Sequence, residues 1–194
     1  MAAQHRDADG APPRYTFFYP EEEYRPEHLD ALAKLCKGGY GEVEIHLHHD
    51  NDTPDRFVVK LERFKKLLSE NYGLFCKEAD TEKVQYGFIH GNWALNNSRK
   101  DGRWCGVNGE LTLLKKTGCY ADLTLPSAPI ETQTSKINSL YYAADDPTRS
   151  KSHDTGIDVE VGKPPTGDLL RNYGDTILNS KIDLPSIPPT RLPH

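Results

Sequence analysis

The seven residues His46-Leu47-His48-His49-Asp50-Asn51-Asp52 hold three histidines and two aspartates, the densest group of metal-ligating and proton-handling side chains in the sequence. If the residues leading into it form a strand, His46 and His48 project from the same side, roughly 6–7 Å apart along the backbone. That spacing suits two imidazoles closing on one divalent cation, and zinc is the ion expected for nitrogen donors of this kind. Asp50 is the candidate catalytic carboxylate, placed to orient an imidazole, to ligate, or to deprotonate a water. His90 closes a second apolar run and is the expected third metal ligand, and His153, in Ser152-His153-Asp154, is a further candidate catalytic residue. Asn92, Trp93, Arg103 and Trp104 lie in a polar stretch rich in asparagine. Indole faces beside amide and guanidinium donors suit a sugar ring with an apolar face and a hydroxyl rim, so these four are the candidate substrate contacts. The competing reading makes the histidines strand-end caps and His90 a turn residue packed on Trp93.

These residues need elements to position them. Gly41 to His48 alternates strictly, sending Val43, Ile45 and Leu47 to one face and Glu42, Glu44, His46 and His48 to the other. Tyr15 to Tyr19 reads as a strand stopped by Pro20, and Pro26 to Lys37 as a helix with proline in its first turn and Gly38-Gly39 after its last. Thr53 and Pro54 open a helix whose apolar positions, Phe57, Val58, Leu61, Phe64, Leu67 and Leu68, follow a 3.6-residue period up to Gly73. Gln85 to His90 is a short strand, Val107 to Thr117 a helix closed by Gly118, and Cys119 to Leu125 another strand. Strands alternating with helices imply parallel pairing, with a working site beyond the carboxyl ends of the strands. After about residue 145 proline and turn residues replace the periodicity. The expected organisation is therefore a (β/α) domain over 1–145 and an irregular, Pro-rich segment over 146–194. Four or five strands are too few to close a barrel, which points to a fragment of a longer protein and to an open sheet edge able to self-associate.

With 194 residues, the chain is the size of one domain. Its net charge of −5 and lack of a basic face argue against nucleic acid. No apolar run approaches the ~20 residues that span a bilayer, and the polar opening MAAQHRDADG has no apolar export segment, so a cytoplasmic location without membrane contact is expected. Cys36, Cys76, Cys105 and Cys119 contain no C-x-x-C pair and read as reduced thiols rather than a structural zinc site. Gly38-Gly39-Tyr40-Gly41 precedes a strand, whereas phosphate-cradling loops follow one.

Several runs carry a family resemblance: TFFYPEEEY (16–24), EVEIHLHHDNDT (42–53), YGFIHGNWALNNS (86–98), DGRWCGVNGEL (101–111), GCYADLTLPSAP (118–129) and INSLYYA (137–143). Over roughly residues 5–160 the chain resembles a bacterial group within the polysaccharide deacetylase-like, or glycoside hydrolase/deacetylase, superfamily. The resemblance implies a distorted parallel (β/α) barrel of the deacetylase type, here incomplete. It also implies a divalent metal, typically zinc, held by an aspartate and two histidines, with water attacking an N-acetyl or O-acetyl group of a saccharide. Two departures accompany it. The acidic pair expected at the end of the family's first strand has no obvious copy, and Asp50 stands four after His46, where the family's second histidine is expected. A non-catalytic carbohydrate-binding module and a metal-dependent phosphoesterase are the alternative functions.

Overall fold

The structure, a computed structural model, describes residues 4–78, 81–124 and 127–173. Its elements follow the chain as β1 (Tyr15–Pro20), α1 (Pro26–Lys37), β2 (Gly41–Leu47), α2 (Pro54–Lys66), β3 (Cys76–Lys77), β4 (Val84–His90), α3 (Glu110–Thr117), β5 (Cys119–Asp122), β6 (Ser139–Ala143), β7 (Gly156–Asp158) and β8 (Leu169–Tyr173). They make an α/β fold on a mixed eight-stranded sheet of order β1-β2-β4-β5-β8-β6-β7, with β3 against β4. The run from β1 to β8 is parallel, and β6 and β7 are antiparallel additions. β1 and β7 stand at the two ends of this order, so the described strands form a sheet with edges rather than a ring.

Local chemistry explains the helices. Thr53 caps α2 by accepting from the Arg56 N–H, and Pro54 occupies the first turn, where its missing donor costs nothing. α2 then passes into a π-helical stretch over Leu67–Asn71. α3 begins at Glu110 instead of near Val107, because Trp104, Gly106 and Gly109 all hold positive φ (65°, 93° and 72°), which no helix accepts. Gly118 ends α3 at φ 104°, and a side chain there would collide with the Val84 carbonyl.

One face of the sheet carries the core. Leu29 and Ala33 of α1, Phe57, Leu61 and Phe64 of α2, and Leu111 and Leu114 of α3 join Val43, Ile45, Leu47, Tyr86 and Phe88 in a single buried cluster. The other face bears Thr16, Glu42, Glu44, His46 and Tyr120, and most of it meets solvent. β2 thus keeps the strict alternation its sequence implies.

The segment beyond residue 145 differs from the irregular expectation. It supplies β7 and β8, and β8 sits inside the sheet between β5 and β6. Arg171 of β8 is buried against Asp122 of β5, Nε to Oδ2 2.8 Å. Proline and glycine around β8 hide it from periodicity, and a buried arginine breaks the apolar pattern of a central strand. Breaking a buried ion pair from one side costs about 3–5 kcal/mol. Asp122→Ala is therefore expected to lower the urea midpoint by a corresponding amount with an unchanged denaturant slope. A loss under about 1 kcal/mol would show that the pair does not hold β8 in place.

Candidate metal centre and its surroundings

Two groups of imidazoles lie at the carboxyl end of β2 and β4, on opposite faces of the sheet. His46 and His48 share the polar face with ring centroids 4.6 Å apart, edge to face. The Nδ1 of His48 bonds the Glu22 carboxylate, which follows β1 in the turn Glu21–Glu23. Both partners are accessible, with side chains 41% and 40% exposed. The His48 ring lies where Gly91 would carry a Cβ, so only glycine leaves it room. His46 is half-buried, and burial, reinforced by the His48 ring, lowers its pKa against the opposing pull of Glu22. Further down the same face, Glu44 accepts from the Gly87 N–H and from the Tyr120 hydroxyl, the latter at 2.7 Å. Burial pushes its carboxyl up to about 7 despite these bonds.

The second group is His49, His90, Cys105 and Glu110, all buried, with one potential ligand atom of each within 4.8 Å of the others. Such a cluster can hold a metal ion. His49 follows Leu47 in parity, and His90 follows Tyr86 and Phe88, so both rings point into the helix-covered face. His90 is therefore separated from His46 and His48, although all three cap neighbouring strands. Glu110 sits among them: Oε1 is 3.2 Å from His49 Nε2 and 3.5 Å from His90 Nε2, while Oε2 accepts from the Asn96 N–H at 2.6 Å. Burial alone would raise the Glu110 pKa, but His90, His49 and the Asn96 N–H outweigh it and the net shift is downward. Burial lowers the His90 pKa to about 4 against the pull of Glu110. Burial and the adjacent Glu110 raise that of Cys105.

The other sequence candidates take separate places. Asp50 Oδ1 accepts from the N–H groups of Trp104 (2.5 Å) and Asn51 (3.0 Å), which fastens the Trp104 loop to the end of β2. Trp104 is covered by guanidinium groups, Arg99 at 4.3 Å and Arg103 at 5.2 Å from the ring centroid. Trp93 is the open indole, 44% exposed, in the turn Gly91–Trp93 beside exposed Asn92. His153 is buried in the turn Ser152–Asp154, away from solvent.

Glu22, Cys105 and Glu110 are site residues that the sequence does not mark, whereas Glu44 shares the polar face of β2 with His46 and His48. Glu22 lies in a run of three glutamates with nothing to distinguish it, and Glu110 passes for an ordinary acidic residue in the first turn of a helix. Parity along β2 was the available signal for Glu44.

All four cysteines are free thiols. Among the described residues no helix is long and apolar enough to cross a membrane. Comparison with family models, curated proteins and solved structures gives no match.

Burial, with the positive charge of Arg171 second, holds the His153 pKa well below its usual 6.5. As pH falls below about 6.5 the unfolded chain binds a proton that folded His153 refuses. Stability from this group is therefore present above that pH and lost below it, by up to about 1.4 kcal/mol per pH unit. His153→Gln should flatten the acid limb of the stability–pH curve between pH 4 and 6.5, read by urea denaturation; parallel curves would contradict a neutral buried imidazole.

Proposed function

We propose that this protein is a metal-dependent hydrolase of carbohydrate deacetylase type, which removes N-acetyl or O-acetyl groups from a saccharide at the carboxyl ends of β1, β2 and β4. The observation that carries this reading is the His46–His48 pair, two adjacent imidazoles on the solvent-facing side with a carboxylate bonded to one of them. The residues fit a divalent cation. With Nδ1 of His48 donating to Glu22, its Nε2 is left as a lone-pair donor, the carboxylate–histidine arrangement that orients metal ligands. Partial burial lowers the His46 pKa and so favours the neutral form that can ligate. Zinc held by these nitrogens would supply a water of pKa near 7 and polarise the scissile carbonyl.

The chain's own residues do the rest. Gly91, just after β4, leaves room for the His48 ring, and Glu22 fixes its rotation. The turn that begins at Gly91, against which that ring lies, carries exposed Asn92 and the open face of Trp93, which supports a sugar as the group presented to the site.

Purified protein should hold more zinc than the His46→Ala/His48→Ala double variant, and should release acetate from acetylated chitooligosaccharides or acetyl esters. Glu22→Gln is expected to cost about 10–100-fold in metal affinity or activity, as loss of an orienting carboxylate does. Tryptophan fluorescence changes with the oligosaccharides but no acetate released would replace hydrolysis with carbohydrate binding. Phosphate release from model esters would replace it with a phosphoesterase.

A further inference from the structure

We infer that His49, His90, Cys105 and Glu110 form a closed structural site for a zinc-class divalent cation, separate from the His46–His48 pair and on the other face of the sheet. The first observation is a clash of hydrogen-bonding character. His90 Nδ1 lies 2.5 Å from the Gly91 carbonyl, which can only accept, so Nδ1 carries the hydrogen. Nε2 is then a bare lone pair, wholly buried and without a hydrogen-bond partner, and it faces Glu110 Oε1 at 3.5 Å. Two acceptors confront each other with no hydrogen bond between them. A cation between them turns the opposition into ligation.

The sulfur gives the second observation. Cys105 Sγ accepts from the backbone N–H groups of Asn97 (3.2 Å) and Val107 (3.4 Å). Paired amide donors are poorly used on a neutral thiol and well used on a metal-bound thiolate, whose charge they spread. The remaining atoms are arranged to serve an ion. Glu110 Oε2 is occupied by the Asn96 N–H, leaving Oε1 toward the two imidazoles. His49 Nδ1, also without a hydrogen-bond partner, stands 3.7 Å from Asp52 Oδ2, so its hydrogen has a carboxylate to settle on once Nε2 ligates. Asp52 is itself held by Lys60 at 3.2 Å.

Charge selects the ion. One carboxylate and one thiolate neutralise a dication, and binding expels the thiol proton, so the filled site buries no net charge. Two nitrogens, one sulfur and one oxygen supply four ligand atoms of kinds that zinc accepts, and none of the four side chains has exposed surface through which a water could be exchanged for substrate. The site would tie three separate segments together, the turn after β2, the end of β4 and the start of α3.

Cobalt substitution tests the assignment. Wild-type protein and His48→Ala loaded with Co2+ should both show a thiolate-to-cobalt charge-transfer band, and Cys105→Ser should not. Because Cys105→Ser could fail to fold, zinc-edge X-ray absorption on wild-type protein gives an independent reading, a sulfur scatterer at about 2.3 Å. Chelation should lower the thermal midpoint of wild type and His48→Ala alike, by of the order of 10 °C. Metal-loaded protein with only nitrogen and oxygen scatterers, a charge-transfer band that persists in folded Cys105→Ser, or protein that takes up no metal overturns the site. Loss of zinc from the surface pair alone leaves the sulfur signal in place, so failure of the hydrolase reading and failure of this one are separately visible.

Discussion

The carboxylate of Glu110 is the constraint around which the rest of the structure is arranged. It has no exposed surface, and an ionised carboxylate out of water is costly unless every lone pair is engaged. The fold engages them from three directions at once: the Asn96 N–H from the loop after β4, His49 from the turn after β2, and the Cys105 thiol from the loop before α3, while the bare Nε2 of His90 faces the carboxylate from the end of β4. Asn96 returns the contact by accepting the Glu110 N–H. Its amide then reaches Asp145 and Ser152, so the same centre ties in the residues that follow β6. Asn96 does this at φ 54°, a conformation that asparagine tolerates better than most residues.

This arrangement separates two kinds of chemistry by one peptide step. His48 and His49 are adjacent in sequence, yet one meets solvent and the other is sealed under α2, because consecutive residues of an extended chain face opposite ways. The accessible pair has a carboxylate that can orient it, and an open indole stands in the turn that begins at Gly91. The sealed set has matched donors and no route for substrate. The loop holding Cys105 is pinned across this divide: the Asp52 N–H donates to the Cys105 carbonyl at 2.9 Å, and Gly106 has no room for a side chain against the Asp52 backbone.

Much of this was legible from residue order, and the failures have physical causes. Alternation in β2 placed Glu44, His46 and His48 on one face, and the Thr53-Pro54 and Gly118 signals marked real helix ends. Grouping His90 with His46 and His48 rested on strand ends being neighbours and overlooked the parity it shares with Phe88. Glu110, Cys105 and Arg171 could not be found this way, because each is a polar residue whose burial depends on partners far along the chain, such as the 61 residues separating His49 from Glu110. Periodicity reports the side of an element that is covered and carries no information about which distant side chain covers it.

The place of β8 bears on the order in which the molecule can assemble. β1, β2, β4 and β5 meet in the order in which a ribosome delivers them, each new strand joining the edge left by the last. β6 and β7 break that sequence, since they emerge first but reach the rest of the sheet only through Leu169–Tyr173. Until that strand is made, β6 and β7 can exist only as an antiparallel pair beside an unfinished edge at β5. Pairing of this non-local kind must meet its loop-closure entropy before it is rewarded, so completion of the sheet is the slow, aggregation-exposed stage of folding for a nascent chain.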